Sequence, residues 1–347
     1  MSMMTAALYD GQSRMNVVEL ERPTPGPGDA IVRVRCTGIC GSDLLMNADK
    51  TAPDAAPAGH EVAGAVVEVG DGVDASLIGR RVAVDTIGAG RACEKCWYCR
   101  VGQFQVCEDP SATEGGGFAQ YMKRGALGCY PLPDSLSWEE AGLVEPLAVS
   151  VHGVRRGHLS GGETVAVLGS GSIGLTAVAA ARALGARTVL ATARHPQQAA
   201  MARSLGADDA LSSEGSTFQD AVEEATDGRG ADLTVETVGG KQGSTLVQAI
   251  DVTRTQGRIV VLGGFRAPIT LDWLRPLGKE QSIVFAICYS VLNGRHDYEA
   301  AIDLMASGKV RLEQMVTHRY PLEQIQTGFD TAYDKTTGSI KVQIHQD

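Results

Sequence analysis

Three groups of residues in this chain have the types and the spacing to do chemistry. One is a thiol, an imidazole and a carboxylate, Cys40 in GICGSDL with His60 and Glu61 in GHEVAG, while Glu145 just ahead of Pro146 is a carboxylate at a joint from which it can aim inward. Donors that arrive on separate turns are how an open catalytic metal site is usually assembled, and a mixed sulfur, nitrogen and oxygen set suits zinc. A second group is Cys93, Cys96, Cys99 and Cys107, all within residues 90–108. Four thiolates on one loop satisfy a closed tetrahedral zinc site, which has no open position and therefore staples the loop without reacting. The third is Gly169-x-Gly171-x-x-Gly174 in TVAVLGSGSIG. Gly169 permits a tight turn, Gly171 lets backbone N–H groups approach a pyrophosphate, and Gly174 lets the following helix lie close on the sheet. Taken singly, each residue has an ordinary structural use: Cys40 as a buried hydrophobe, His60 as a core imidazole, Glu61 as a cap. Their joint spacing is what points to chemistry.

The elements that must hold these residues follow from the hydrophobic pattern. From Ala6 to about Val84 short alternating runs are broken by turns such as PTPGPG, which predicts a β-rich domain. Ser137 with Glu140 forms a capping box, and Leu147–Arg155 reads as a helix with Pro146 near its first position. From about Gly161 the text alternates between strands (TVAVLG, RTVLAT, ADLTVE, GRIVVLGG, SIVFAICYS) and Ala-rich or amphipathic stretches, the mark of a doubly wound parallel sheet. The last part carries one helix, DYEAAIDLMASGK, and returns to strand at GSIKVQI. A length of 347 residues allows about two domains. The formal charge of −10, without a basic cluster, argues against nucleic acid or an anionic membrane as partner. No apolar run reaches spanning length and the first residues lack a secretory layout, so a cytoplasmic location is expected. In such a compartment crowded cysteines point to metal and not to disulfides.

In this order the motifs GICGSDL, GHEVAG, the four-cysteine lobe, GGFAQY, EPLAVSVHGV and the glycine turn make the chain resemble the zinc-dependent medium-chain dehydrogenases, most closely the polyol branch that includes sorbitol and butanediol dehydrogenases. The resemblance covers nearly the whole chain. It implies an α/β protein in which a Rossmann cofactor domain, residues 153–289, is inserted into a β-rich GroES-like catalytic domain, residues 1–152 plus 290–347. It implies two zincs per chain. Cys40, His60 and Glu61 match the catalytic set, Glu145 matches a carboxylate that binds directly or through water, and Cys93, Cys96, Cys99 and Cys107 match the structural set. Ser42 falls where the family takes the proton from the substrate hydroxyl, and Asp43 where a carboxylate orients the His60 imidazole. A histidine that many relatives carry five residues after the zinc cysteine is replaced here by Leu45. An open zinc site polarises a substrate oxygen so that hydride can pass to a nicotinamide.

Cofactor choice turns on the end of the second Rossmann strand. An NAD enzyme places Asp or Glu there for the ribose hydroxyls; this chain has Ala193, Arg194 and His195. NADP(H) preference is therefore expected, with NAD(H) as the alternative, since Arg194 can pair with a 2′-phosphate. Ser172, Ile173, Val238 and Leu262 complete the expected cofactor set. The substrate is a small alcohol or ketone, its pocket expected from Ser42, Leu45, residues 47–54, Phe118, Glu145 and residues 286–289. A biosynthetic ketone or cyclitol reductase is the alternative enzyme, and a zinc-stapled regulatory protein without turnover, which only Leu45 favours, is the non-enzymatic one. The resemblance also implies a homodimer or homotetramer joined through the strand near Ser282–Tyr289.

Overall fold

In this computed structural model the chain is described over residues 2–44, 51–112 and 115–346. It forms two compact units, one of Met1–Glu145, Ser290–Ala306 and Leu312–Asp347, the other of Pro146–Tyr289 and Ser307–Arg311.

The first unit is built on a seven-stranded sheet. Its central strand, Asp29–Gly38, pairs antiparallel with Glu61–Val69, with Lys341–His345 and with Tyr121–Gly125. The alternation of the sequence is the cause: Val32, Val34, Val62, Val66, Val82, Val84 and Met122 bury one apolar cluster, which places the intervening positions on the other face. A second cluster gathers Ile39, Phe118, Ile325, Phe329, Val342 and Ile344 beneath the helix Ile325–Tyr333. Each of these large side chains contributes about 1.5–3 kcal/mol when removed from water.

The second unit holds six parallel strands in the order Asp209–Leu211, Thr188–Thr192, Thr164–Leu168, Ala231–Glu236, Thr253–Val261, Ser282–Phe285. The chain switches direction across the sheet between Thr164–Leu168 and Ala231–Glu236, which is where ligands bind in folds of this class. The helix Ser172–Ala183, which follows Thr164–Leu168, buries Leu175, Ala177, Val178, Ala180 and Ala181, its alanines being small enough to let backbones approach. The outer strand Ser282–Phe285 has one neighbour in the sheet, and Phe285 and Ile287 beside it are exposed.

Two local details differ from the sequence reading. The helix expected from Leu147 begins at Val144 and runs to Arg156, because proline is tolerated in a first turn, where its missing N–H would have had no partner. The short strand Asp209–Leu211 was not foreseen, being too brief to show periodicity. Ser137 does form the capping box with Glu140: its Oγ accepts from Glu140 N at 3.2 Å, and Glu140 Oε2 accepts from Ser137 N at 2.9 Å. Among the described residues no helix is long and apolar enough to cross a membrane.

Candidate active site

Antiparallel register assembles the first donor group. Gly38 closes one strand directly opposite Glu61, which opens its neighbour, so Cys40, two residues further on, arrives beside His60 and Glu61. Their donor atoms lie within 4.8 Å of one another. Gly38 is required for this: a Cβ there would lie 1.8 Å from Glu61 Oε2. Asp43, buried on the helical turn after Cys40, links the other two, accepting from Cys40 N at 2.9 Å through Oδ2 and lying 3.5 Å from His60 Nδ1 through Oδ1. With Nδ1 turned to a carboxylate, Nε2 is the nitrogen left for a cation. Burial pulls the His60 imidazole down, but the Asp43 charge and its hydrogen bond, with Cys40, raise it well above the usual histidine range. Ser42 is half-buried on the same turn, and its hydroxyl has no partner among the described residues. Leu45 and residues 46–50 lie outside the described residues.

Lys341 is not among the residues expected at this site. This lysine opens the strand Lys341–His345, is buried with Glu61, and donates from Nζ to both Glu61 oxygens at 2.7 Å and to Ile39 O at 3.2 Å. Burial would lower its pKa; Glu61, then Cys40, outweigh this and raise it. A buried charge is tolerated only when paired and hydrogen-bonded, and here the pairing is complete on both sides. A lysine in a strand of otherwise buried alternation was the available signal. Glu145, in the first turn of its helix, is buried outside the three converging donors. Burial pushes its carboxyl up to about 8, with Glu61 and Asp85 adding to the shift and His60 and Lys341 opposing it. Phe118 is fully buried, edge-on to Phe329 with ring centroids 5.6 Å apart. Its place under Gly59, whose φ of +93° only glycine adopts readily, makes it core.

The four-cysteine lobe is a local structure. Cys96 caps the short helix Trp97–Arg100, and backbone N–H groups point at sulfur three times: Cys96 N to Cys93 Sγ at 3.3 Å, Cys99 N to Cys96 Sγ at 3.4 Å and Cys93 N to Cys107 Sγ at 3.3 Å. The Cys93 and Cys99 sulfurs are 4.0 Å apart. Zinc–sulfur bonds of about 2.3 Å in a tetrahedron give a sulfur–sulfur edge of about 3.8 Å, whereas a disulfide needs about 2 Å. The lobe therefore fits a metal. Backbone N–H groups of Glu108 and Cys99 draw the Cys96 thiol down to about 6, and burial pushes Cys99 up to about 12.

In the second unit the glycine turn is a cradle. Gly169 has φ +98°, and a Cβ on Gly174 would lie 1.9 Å from Gly169 O, so the helix start sits directly on the turn. At Gly171, the cap residue of helix Ser172–Ala183, a Cβ would meet nothing within 4 Å. The helix N-terminus with its free N–H groups thus opens onto space, the arrangement that receives a phosphate. Ser172 and Ile173 begin that helix. Thr192 Oγ1 accepts from Gly169 N at 2.7 Å and ties the turn to the next strand. Beyond it, Ala193 N donates to Leu211 O at 2.7 Å, His195 N donates to Gln198 Oε1 at 3.3 Å, and Arg194 is exposed with no hydrogen bond or ion pair among the described residues. Val238 is half-exposed and Leu262 follows the strand Thr253–Val261.

Two family models match the chain: the alcohol dehydrogenase GroES-like domain over residues 26–134 and the zinc-binding dehydrogenases over residues 172–307. The sorbitol dehydrogenase of Bacillus subtilis is 31% identical over 357 aligned residues, covering 99% of this chain and 97% of that protein. A solved alcohol dehydrogenase from Escherichia coli, complexed with NADH, superposes with a TM-score of 0.88 at 26% identity over 100% of both chains. A zinc-binding dehydrogenase from Sinorhizobium meliloti bound to NADP gives a TM-score of 0.86 at 28% identity, again over 100% of both.

Proposed function

This chain belongs to the zinc-dependent, NAD(P)-linked medium-chain alcohol and polyol dehydrogenases, and from that premise we propose that it interconverts a secondary alcohol of polyol type and its ketone, with NADP(H) preferred over NAD(H). The observation that carries the chemistry is the convergence of Cys40, His60 and Glu61 within 4.8 Å, a mixed donor set of the kind zinc takes. When bound, zinc supplies Lewis acidity towards a substrate oxygen and the nicotinamide supplies the hydride acceptor or donor.

The chain's own residues do the rest. Cys40 and His60 hold the metal, with the carboxylate of Glu61 or Glu145 completing the set. Asp43 fixes the Cys40 backbone and the His60 ring together. Lys341 compensates the Glu61 charge inside the protein. Ser42 Oγ, without a partner among the described residues, would relay a proton, accepting that of the substrate hydroxyl while giving its own to the cofactor ribose and water, and running the relay backwards in the reverse direction. Cys93, Cys96, Cys99 and Cys107 hold the second zinc.

For the cofactor, the absence of a carboxylate at Ala193 and an Arg194 without an ion pair among the described residues favour a 2′-phosphate. Steady-state kinetics with both cofactors tests this: kcat/KM should be higher with NADP, and a higher value with NAD overturns the preference. Ala193→Asp with Arg194→Ser should lower kcat/KM for NADP about 100-fold, since it removes a charged hydrogen bond and adds a repelling charge. The exposed Phe285 and Ile287 at an outer strand support association of two or more copies. A monomer mass in light scattering would refute that association.

A further inference from the structure

Glu236 ends the strand Ala231–Glu236 at the carboxyl edge of the parallel sheet, in register with Leu168 on one side and Val261 on the other. Its side chain is fully buried. A carboxylate there is costly unless donors meet it, and three meet one oxygen. Oε1 accepts from Val238 N and Gly239 N at 2.9 Å each and from Thr245 Oγ1 at 2.7 Å. The main-chain carbonyl of the same residue accepts from Leu262 N at 2.8 Å and Gly263 N at 3.1 Å. Oε2 has no hydrogen-bond partner among the described residues and sits where a Cβ on Gly263 would come within 2.4 Å. One residue therefore ties down both the 237–240 turn and the 262–264 segment, which are bonded to each other from Gly240 N to Gly264 O at 2.9 Å.

That turn lies against the glycine cradle. Thr237 Oγ1 donates to Leu168 O at 2.8 Å, and a Cβ on Gly169 would meet Val238 Cγ2 at 2.6 Å and Thr237 Oγ1 at 2.9 Å. Val238 is nonetheless 47% exposed, an apolar side chain held out beside a phosphate-type turn at the switch point of the sheet. We propose that Glu236 is a positioning residue for the dinucleotide: through Oε1 it sets Val238, and through its carbonyl Leu262, at fixed heights against the glycine turn. This rests on the reading of that edge as the cofactor site. What matters is the acceptor at Oε1, which receives all three donors.

The test measures dissociation constants for NADPH and NADH by nicotinamide fluorescence on the intact protein. Glu236→Leu strands two backbone N–H groups and a hydroxyl, and should weaken both dinucleotides about tenfold or more. Glu236→Gln keeps a carbonyl oxygen for the three donors and should stay within about threefold of wild type. Thr245→Val removes one donor at nearly constant volume and should weaken binding about two- to threefold. Zinc content and the KM for alcohol should hold at wild-type values while the KM for dinucleotide rises and kcat at saturation does not fall, a split that general loss of packing would not produce. Wild-type affinity in folded Glu236→Leu overturns the proposal, as does Glu236→Gln binding as weakly as Glu236→Leu. Should Glu236→Leu not fold, Thr245→Val decides: weakened affinity supports the proposal and unchanged affinity overturns it. Failure of the wild-type protein to bind either dinucleotide overturns the cofactor reading itself, and the inference with it.

Discussion

In the lobe, four identical donors span 14 positions of the chain, Cys99 buried and the other three half-exposed, with backbone N–H groups directed at sulfur. At Cys40, His60 and Glu61 the donors differ in kind, come from two strand ends, and are balanced by Lys341, 280 positions beyond Glu61. The lobe draws its geometry from local turns. The other cluster draws it from sheet register, a buried ion pair and Asp43, so its integrity is that of the whole first unit. A donor lost from the lobe should therefore be felt where it is lost, and a partner lost from the other cluster should be felt in the fold and in turnover together.

The widest separation is expected from Cys40→Ser, which should remove one of the two proposed zincs and lower turnover about 1,000-fold or more, equivalent to at least about 4 kcal/mol of barrier. Metal analysis alongside initial rates checks it, and an unchanged rate would sink the proposed mechanism. Next is Lys341→Met. It leaves Glu61 buried without its counter-charge and should cost about 3–5 kcal/mol in denaturant unfolding, with Glu61→Gln added on top restoring part of the loss. If Lys341→Met unfolds like wild type, the idea that this cluster depends on the whole unit fails. The smallest effect belongs to Cys96→Ser: limited proteolysis within residues 90–108 should quicken about tenfold while the remaining zinc and the rate of the folded protein change little. A loss of turnover as large as that of Cys40→Ser would erase the contrast between the clusters.

What could be read from the sequence followed the same division. The lobe and the glycine turn were legible because every residue that gives them meaning is within a few positions: three glycines between a strand and a helix, four cysteines on one loop. The α/β order and the β-rich flanks were legible from periodicity. Lys341 and Glu236 were not, because a charge in a strand acquires its role only from the register of strands far away in the chain. Pro146 looked like a helix boundary because proline breaks helices in their interior, but in a first turn it breaks nothing.

The pairing of Lys341 with Glu61 also sets an order of events during synthesis. At about 5–20 residues per second, a lysine 280 positions downstream is made roughly 15–55 s after the glutamate. Until then the Glu61 carboxylate has no counter-ion to be buried with, and the strand Lys341–His345 that delivers it cannot join the sheet. The nascent chain can close its four-cysteine loop early, but the Cys40 cluster must wait, so on the ribosome the two sites would become able to bind metal at different times.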